Sequence, residues 1–93
     1  MAPFVLVHGG GHGGWCYKFV TDRLRAKYHL VHAPSLTWLG ERSHLMSPAI
    51  NLDTHITDIA LMLEYDDLRD VILVGHSYGG MVITGVADRA ADR

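Results

Sequence analysis

Two short runs of apolar residues, at positions 4–7 and 71–74, contain no polar side chain and lead into glycine-rich turns. Unbroken apolar runs of this length are typical of strands that are buried on both faces of a parallel sheet. A weaker run at positions 28–33 is interrupted by two histidines and ends at Pro34. The pattern therefore predicts three strands, of which the first and third are the most deeply buried.

Apolar residues spaced three and four positions apart predict a helix before each later strand and one after the last. The first predicted helix covers residues 15–27, and the second covers residues 52–63 with an N-cap at Asp53 or Thr54. A third helix follows the last glycine-rich turn. The apolar faces expected in the core are Cys16, Phe19, Val20 and Leu24 in the first helix and Leu52, Ile56, Ile59, Ala60 and Leu63 in the second. The apolar residues of the third helix are Met81, Val82, Ile83, Val86 and Ala87, and part of this face is expected to pack on elements that lie outside the chain.

The order of these elements predicts an α/β fold, a three-layer arrangement in which helices flank a parallel sheet. The two most apolar strands should be neighbours, with the weaker strand outside the first, which gives the order second-first-third. Ligands of open α/β sheets bind where the strand order reverses, at the carboxyl ends of the strands. Both glycine-rich turns should lie at this point. The long connection of residues 34–52 is also expected to be functional.

Composition narrows the classes of function. The chain has 93 residues, of which 48% are hydrophobic, and its net charge of −2 without a basic block disfavours nucleic-acid binding. The apolar runs are much shorter than the roughly 18 residues that a membrane-spanning helix needs, and the first residues lack the pattern of a signal peptide. The single cysteine suits a reducing compartment. We therefore expect a soluble cytoplasmic protein that binds neither nucleic acid nor membrane.

The turn after the third strand reads Gly75-His76-Ser77-Tyr78-Gly79 and fits the pattern G-x-S-x-G between a strand and a helix. A serine at such a sharp turn has a strained backbone and a hydroxyl directed out of the sheet. The residues two before and two after it come too close to the turn to carry a side chain, which accounts for the glycines. The pattern predicts Ser77 as a nucleophile. The alternative is that Ser77 only caps the helix.

The turn after the first strand supplies a second set of candidate residues. An oxyanion hole needs two backbone N–H groups near the developing negative charge, and the expected donors are the amides of Tyr78 and Gly10. Gly9 and Gly11 let the main chain approach a substrate, so they and His76 are the expected substrate-binding residues. A phosphate-binding loop is the alternative. Because neither the dinucleotide spacing nor the P-loop spacing is present, we expect no cofactor.

The seven histidines raise the question of a metal site. His8 and His12 share a flexible glycine loop, and His44 and His55 have no partner at the spacing that metal ligands need. We therefore expect no metal site. His76 is expected to pack beside the serine rather than to act as its base.

In combination, these motifs resemble the α/β-hydrolase superfamily, and most of all its branch of bacterial carboxylesterases, plant methylesterases and hydroxynitrile lyases. The stretches that carry the resemblance are residues 4–8, 8–10, 12–15, 39–45 and 74–80. The resemblance implies a serine hydrolase for small carboxylic esters, with Ser77 as nucleophile and the amides of Gly10 and Tyr78 as oxyanion donors.

Two comparisons with the family pattern sharpen this expectation. Hydroxynitrile lyases of the branch usually have threonine after the first histidine, and glutamate and cysteine on either side of the serine. Gly9, His76 and Tyr78 stand at those places here, so ester hydrolysis is favoured and the lyase is the alternative. Trp38 departs from the family, whose loop usually has a small residue there, and this leaves the shape of the loop open.

The catalytic triad of the family runs in the order serine, acid, histidine. Only Asp88 and Asp92 follow Ser77 as acids, and no histidine follows it. We therefore expect residues 1–93 to be an incomplete, N-terminal α/β-hydrolase domain that is inactive or nearly so by itself. For activity it should need the rest of the hydrolase chain or a second chain that supplies the missing residues. The sequence also allows the protein to be an oligomer. A hydrolase-like binding protein without turnover is a further alternative.

Overall fold

The structure is a computed structural model and describes residues 3–93. Its strands and helices follow the predicted order, with two short 3-10 helices inserted in the connections. The elements are β1 (Pro3–Val7), a 3-10 helix (Gly14–Tyr17), α1 (Lys18–Ala26), β2 (Leu30–His32), a 3-10 helix (Gly40–Leu45), α2 (Leu52–Tyr65), β3 (Ile72–Gly75) and α3 (Tyr78–Arg89).

The three strands form one parallel sheet in the order β2-β1-β3. Val5 of β1 pairs with His32 on one side and with Leu73 on the other. This confirms the predicted α/β class and the predicted strand order. Because Val7 pairs with Gly75, the carboxyl ends of β1 and β3 lie side by side and bring the two glycine-rich turns together.

The hydrophobic core lies between β1 and the helices α2 and α3. Val5 and Val7 of β1 are fully buried in it, and Leu6 is equally buried on the opposite face, because side chains alternate along a strand. β1 is therefore covered on both faces, as its unbroken apolar run predicts. The other buried members of the core are Leu36, Ile59, Leu63, Leu68, Val82 and Val86.

The apolar run of β3 is less buried than its pattern predicts. β3 lies at one edge of the sheet formed by residues 3–93, and the side chains of Ile72 and Val74 are 42% and 38% exposed. Of the apolar residues of α3, Met81 and Ala87 are exposed. They lie on helix faces that point away from Val82 and Val86, the positions that pack against β1.

The rotation of α1 about its axis differs from the prediction. Tyr17, just before the helix, donates a hydrogen bond of 2.9 Å from its hydroxyl to the carbonyl of Val7, and Thr21 one turn later is buried. The helix therefore turns the face of Tyr17 and Thr21 toward the sheet. The residues placed in the core by the prediction but exposed in the structure are Cys16, Phe19 and Val20.

The N-terminus of α2 also differs from the prediction. Asn51, rather than Asp53 or Thr54, is the N-cap residue, and its side-chain oxygen accepts a hydrogen bond of 3.1 Å from the amide of Thr54. The Thr54 hydroxyl in turn accepts from the amide of Asn51 at 3.2 Å, which completes a capping box. Within residues 3–93, none of the helices combines the length and apolarity that crossing a membrane requires.

Candidate active site

The turn between β3 and α3 is sharp and has an unusual backbone conformation at Ser77. The serine has φ 57° and ψ −118°, a region that residues with a Cβ atom rarely adopt. Hydrogen bonds on both sides hold the turn, from the amide of Gly79 to the carbonyl of His76 and from the amide of Gly80 to the carbonyl of Ser77, both at 2.9 Å. Strain of this kind persists only where the surroundings enforce it, and it concentrates at functional sites.

The two glycines of the G-x-S-x-G pattern are required for steric reasons. A Cβ atom on Gly79 would overlap the carbonyl oxygen of Val7, so α3 can pass this close to β1 only with glycine at that position. A Cβ atom on Gly75 would lie 2.5 Å from the carbonyl oxygen of Gly79. Both neighbours are backbone atoms that have little freedom to move. The structure thus confirms the steric explanation of the pattern.

The side chain of Ser77 is not used to cap the helix. Ser77 occupies the N-cap position of α3, but its hydroxyl makes no capping hydrogen bond, and the residue is exposed. A serine that served only as a cap would accept a hydrogen bond from an amide of the first turn. The missing bond counts against the alternative that Ser77 only caps the helix. The hydroxyl is accessible at the carboxyl end of the sheet.

The glycine loop after β1 lies directly against this turn. A Cβ atom on Gly9 would be 3.1 Å from the carbonyl oxygen of His76 and 3.3 Å from Cβ of Ser77. Gly10 has open space around it, and Gly11 has a positive φ of 78°. The loop therefore presents bare backbone beside the serine, as an oxyanion loop requires.

His8 holds the start of the glycine loop through hydrogen bonds of its ring. It is fully buried, and its Nε2 accepts a hydrogen bond of 3.0 Å from the amide of Leu36. Nδ1 therefore carries the proton and donates to the carbonyl of Gly9 at 2.7 Å. Burial lowers the pKa of His8, while the hydrogen bond to Gly9 acts in the opposite direction. The neutral ring thus connects the glycine loop to the connection that follows β2.

A second contact fixes the far end of the glycine loop. The hydroxyl of Ser35 accepts a hydrogen bond of 2.9 Å from the amide of Gly14 and donates one of 2.6 Å to the carboxylate of Glu41. The hydrogen bond from Ser35 lowers the pKa of Glu41. Both ends of the loop are therefore held by residues of the long connection, which supports the expectation that this connection serves the site.

Tyr78, the residue after the serine, is anchored by a buried histidine. His55 of α2 is 5% exposed, and its Nε2 donates a hydrogen bond of 2.8 Å to the carbonyl of Thr37. Nδ1 of the neutral ring accepts from the hydroxyl of Tyr78 at 2.5 Å. Asp58 completes the chain of contacts, because its carboxylate accepts from both the amide and the hydroxyl of Thr37 at 2.8 Å. Burial raises the pKa of Tyr78.

The two expected oxyanion donors, Gly10 and Tyr78, are among the residues that line a mostly apolar groove of about 290 Å³. Trp38 and Leu39 form part of its wall. Trp38 has a φ of 78°, so it occupies a backbone conformation that a small residue such as glycine adopts more easily. The positive φ accounts for the small residue that the family pattern usually has at this place, and Trp38 occupies the same conformation at a steric cost.

The sequence motifs found Ser77 and the glycines but missed two of the residues that support them. His8 and His55 are structural partners of the site, although nothing in their sequence neighbourhood indicates their contacts. His76, expected to pack rather than to act as a base, is exposed, and its ring meets the ring of His12 edge to face with centroids 6.4 Å apart.

Three comparisons with known proteins bear on this arrangement. A family model described as alpha/beta hydrolase family matches residues 4–92. Among curated proteins, a carbendazim hydrolyzing esterase from Nocardioides sp. (strain SG-4G) is 56% identical over all 93 residues, which cover 38% of that esterase. Methylesterase 2 of Arabidopsis thaliana is 34% identical, with coverage of 97% of this chain and 35% of the plant protein.

Solved structures match closely as well. An extracellular alpha/beta-hydrolase from a Paenibacillus species superposes with a TM-score of 0.90 at 28% identity, covering 100% of this chain and 37% of that one. A methylesterase from Arabidopsis gives a TM-score of 0.85 at 32% identity, covering 99% of this chain and 39% of the plant chain. The chain therefore spans somewhat more than a third of the length of these relatives.

Proposed function

The chain belongs to the alpha/beta hydrolase family, and from this premise we propose that it supplies the nucleophile and the oxyanion hole of a serine hydrolase for small carboxylic esters. The observation that carries the proposal is the backbone of Ser77, with φ 57° and ψ −118° at an exposed turn and a hydroxyl that makes no capping hydrogen bond. The esterase and methylesterase relatives support the same reaction class.

In the proposed reaction, the oxygen of Ser77 bonds to the ester carbonyl carbon while its proton passes to a base outside residues 1–93, and the carbonyl oxygen takes up the negative charge. The bond to the alkoxy oxygen then breaks, the alcohol leaves with that proton, and water hydrolyses the acyl-serine. The amides of Gly10 and Tyr78 stabilise this oxyanion, because they belong to the two turns that meet at the carboxyl end of the sheet. The N-terminus of α3 contributes in the same direction, since the positive end of the helix dipole favours negative charge nearby. Gly9 and Gly11 let the acyl group approach the backbone, and exposed His76 flanks the same opening.

The catalytic base and acid are the missing parts of the proposed site. His8 and His55 use both ring nitrogens in other hydrogen bonds, so neither is available to take the proton of Ser77. In the triad order of the family no histidine follows Ser77 within the 93 residues. We place the base and the acid in polypeptide outside residues 1–93, and we expect these residues by themselves to be inactive or nearly so. The cytoplasmic location and an oligomeric state stay predictions from the sequence.

The proposal is testable in a chimera in which residues 1–93 replace the matching segment of the Nocardioides esterase. We expect the chimera to hydrolyse p-nitrophenyl acetate, and Ser77→Ala to lower kcat by roughly 10⁵- to 10⁶-fold because the nucleophile is lost. A fluorophosphonate probe should label the chimera at Ser77 and leave the variant unlabelled. Ser43→Ala, at an exposed serine of the long connection, is the matched control and should change neither result.

Two outcomes would contradict the proposal. Cleavage of mandelonitrile in place of the ester would favour the hydroxynitrile lyase alternative. A folded chimera that turns over neither compound and is not labelled at Ser77 would favour a binding protein without catalysis.

A further inference from the structure

Tyr78 is joined to the rest of the protein by its side chain as well as by its backbone. It is the first residue of α3 and directly follows Ser77, so the orientation of its peptide amide depends on how the start of this helix is held. The ring of Tyr78 meets the ring of His55 edge to face, with centroids 5.5 Å apart. Its hydroxyl donates to Nδ1 of the same histidine at 2.5 Å.

His55 passes this restraint on to a third segment of the chain. Its Nε2 donates to the carbonyl of Thr37, and Asp58 holds Thr37 through both the amide and the hydroxyl. The contacts therefore join the start of α3 to α2 and to the long connection. A hydroxyl, both nitrogens of a buried ring and a carboxylate are all satisfied in this network, which favours one fixed arrangement.

We propose that His55 is a positioning residue, which holds the amide of Tyr78 in place for the oxyanion by means of its hydrogen bond to the Tyr78 side chain. The inference rests on the proposed function, because it concerns the geometry of the same oxyanion hole. The strained conformation of Ser77 supplies the physical reason: a strained turn keeps its geometry only when its neighbours are held on several sides. Gly79 packs on β1 on one side of the turn, and the Tyr78–His55 pair anchors it on the other.

The two hydrogen bonds of His55 can be removed separately in the chimera. His55→Asn places an oxygen near the position of Nδ1 and keeps an acceptor for Tyr78, whereas His55→Gln reaches the position of Nε2 and keeps the donor to Thr37. Tyr78→Phe removes the same hydroxyl contact from the other side. Tyr65→Phe, at a tyrosine that is 82% exposed, is the matched control for loss of a hydroxyl.

We expect Tyr78→Phe and His55→Gln to lower kcat for p-nitrophenyl acetate by about 10- to 100-fold, with KM changed less than about twofold. His55→Asn should retain more of kcat than His55→Gln, and Tyr65→Phe should leave kcat unchanged. In the double variant Tyr78→Phe/His55→Gln, the second substitution should lower kcat by less than about a further twofold, because one shared contact has already been lost.

A purely structural role predicts a different result. If the variants melt at lower temperature but keep kcat within twofold below their transition, or if only KM rises, the positioning role is wrong. Circular dichroism of every variant at the assay temperature establishes that it is folded. Ser77→Ala separates the two hypotheses: activity that survives this substitution overturns the proposed function, whereas its loss together with full kcat in Tyr78→Phe overturns only the role of His55.

Discussion

The backbone of Ser77 and the two glycines beside it are the part of the site that the sequence predicts best. A φ of 57° at a residue with a Cβ atom is strained by about 1–3 kcal/mol. The glycines two positions away are dictated by backbone atoms of the same turn and of β1. The contact of Gly75 with Gly79 lies within the turn, so the five-residue pattern was sufficient to predict it, whereas the close approach of Gly79 to Val7 joins two distant segments.

The contacts of the two buried histidines, in contrast, could not be predicted from the residues near them in the sequence. His8 meets the amide of Leu36, 28 positions along the chain, and His55 meets the hydroxyl of Tyr78, 23 positions along it. Neither contact follows from a residue's neighbours in sequence. The spacing of possible metal ligands grouped His8 with His12 and left His55 without a partner, whereas each histidine connects the candidate site to a distant segment.

His8 leads to a prediction about pH. Because burial holds the pKa of His8 below its ordinary value of 6.5, the unfolded chain binds a proton below that pH that the folded chain does not bind. Its contribution to the free energy of unfolding is therefore fully present above pH 6.5 and is lost as the pH falls through the pKa of the folded state. Urea unfolding of the chimera at a series of pH values measures this loss.

His8→Gln is the control for this titration. Gln can keep an acceptor for the amide of Leu36 but fills the buried site less well than the ring, so the variant should be less stable at neutral pH. Because Gln does not titrate, the variant should lose less stability on acidification. Equal pH dependence in the two proteins would mean that His8 does not contribute to it.

At the scale of elements, helix boundaries depend on side-chain contacts that several neighbouring residues could make. Asn51, Asp53 and Thr54 are all good capping residues, and the apolar stripe of α2 does not distinguish between them. The structure selects Asn51 because only this residue forms the reciprocal pair of hydrogen bonds with Thr54. The helix thereby begins at Leu52, and Asp53 lies in its first turn.

The capping box predicts the effect of a substitution. Asn51→Ala removes the acceptor for the amide of Thr54 and should lower the free energy of unfolding by about 1 kcal/mol. Asn51→Asp keeps an acceptor and adds a negative charge at the helix N-terminus, so its stability should stay close to that of the parent. Urea unfolding of both variants tests the assignment. A loss in Asn51→Asp as large as that in Asn51→Ala would be evidence against the capping box.

The rotation of α1 is also decided at this scale. Cys16, Phe19 and Val20 form an apolar face in sequence, and periodicity assigns that face to the core. The contacts of Tyr17 with Val7 and the burial of Thr21 turn another face inward. Amphipathic periodicity identifies a helix, but the face of the helix that packs on the sheet depends on contacts with residues elsewhere in the chain.

At the scale of the whole molecule, the sheet of residues 3–93 has β3 at its edge, with Ile72 and Val74 partly exposed. An apolar edge strand is a template for pairing with another chain. The chain spans little more than a third of the relatives that it matches. We expect polypeptide outside these residues to cover the edge and the exposed face of β3 in the proposed hydrolase.

This exposure predicts that the 93-residue chain by itself associates with other copies. Size-exclusion chromatography with light scattering should show species larger than a monomer, and Ile72→Lys/Val74→Lys should shift the distribution toward the monomer by placing charges on the exposed face of β3. Ala87→Lys adds a charge at an exposed position of α3 and is the control. A well-behaved monomer in light scattering, from material whose intact mass is that of the unmodified chain, would contradict this prediction.

The sequence by itself determined the order of strands and helices, the parallel sheet with β1 at its centre, and the serine turn with its glycines. These features follow from local periodicity, from backbone sterics and from the few ways in which strands and helices connect. Only the tertiary structure decided which face of α1 packs inward, which residue caps α2, how far β3 is exposed and what His8 and His55 contact. Those properties depend on contacts between residues far apart in the chain, which pattern and composition do not encode.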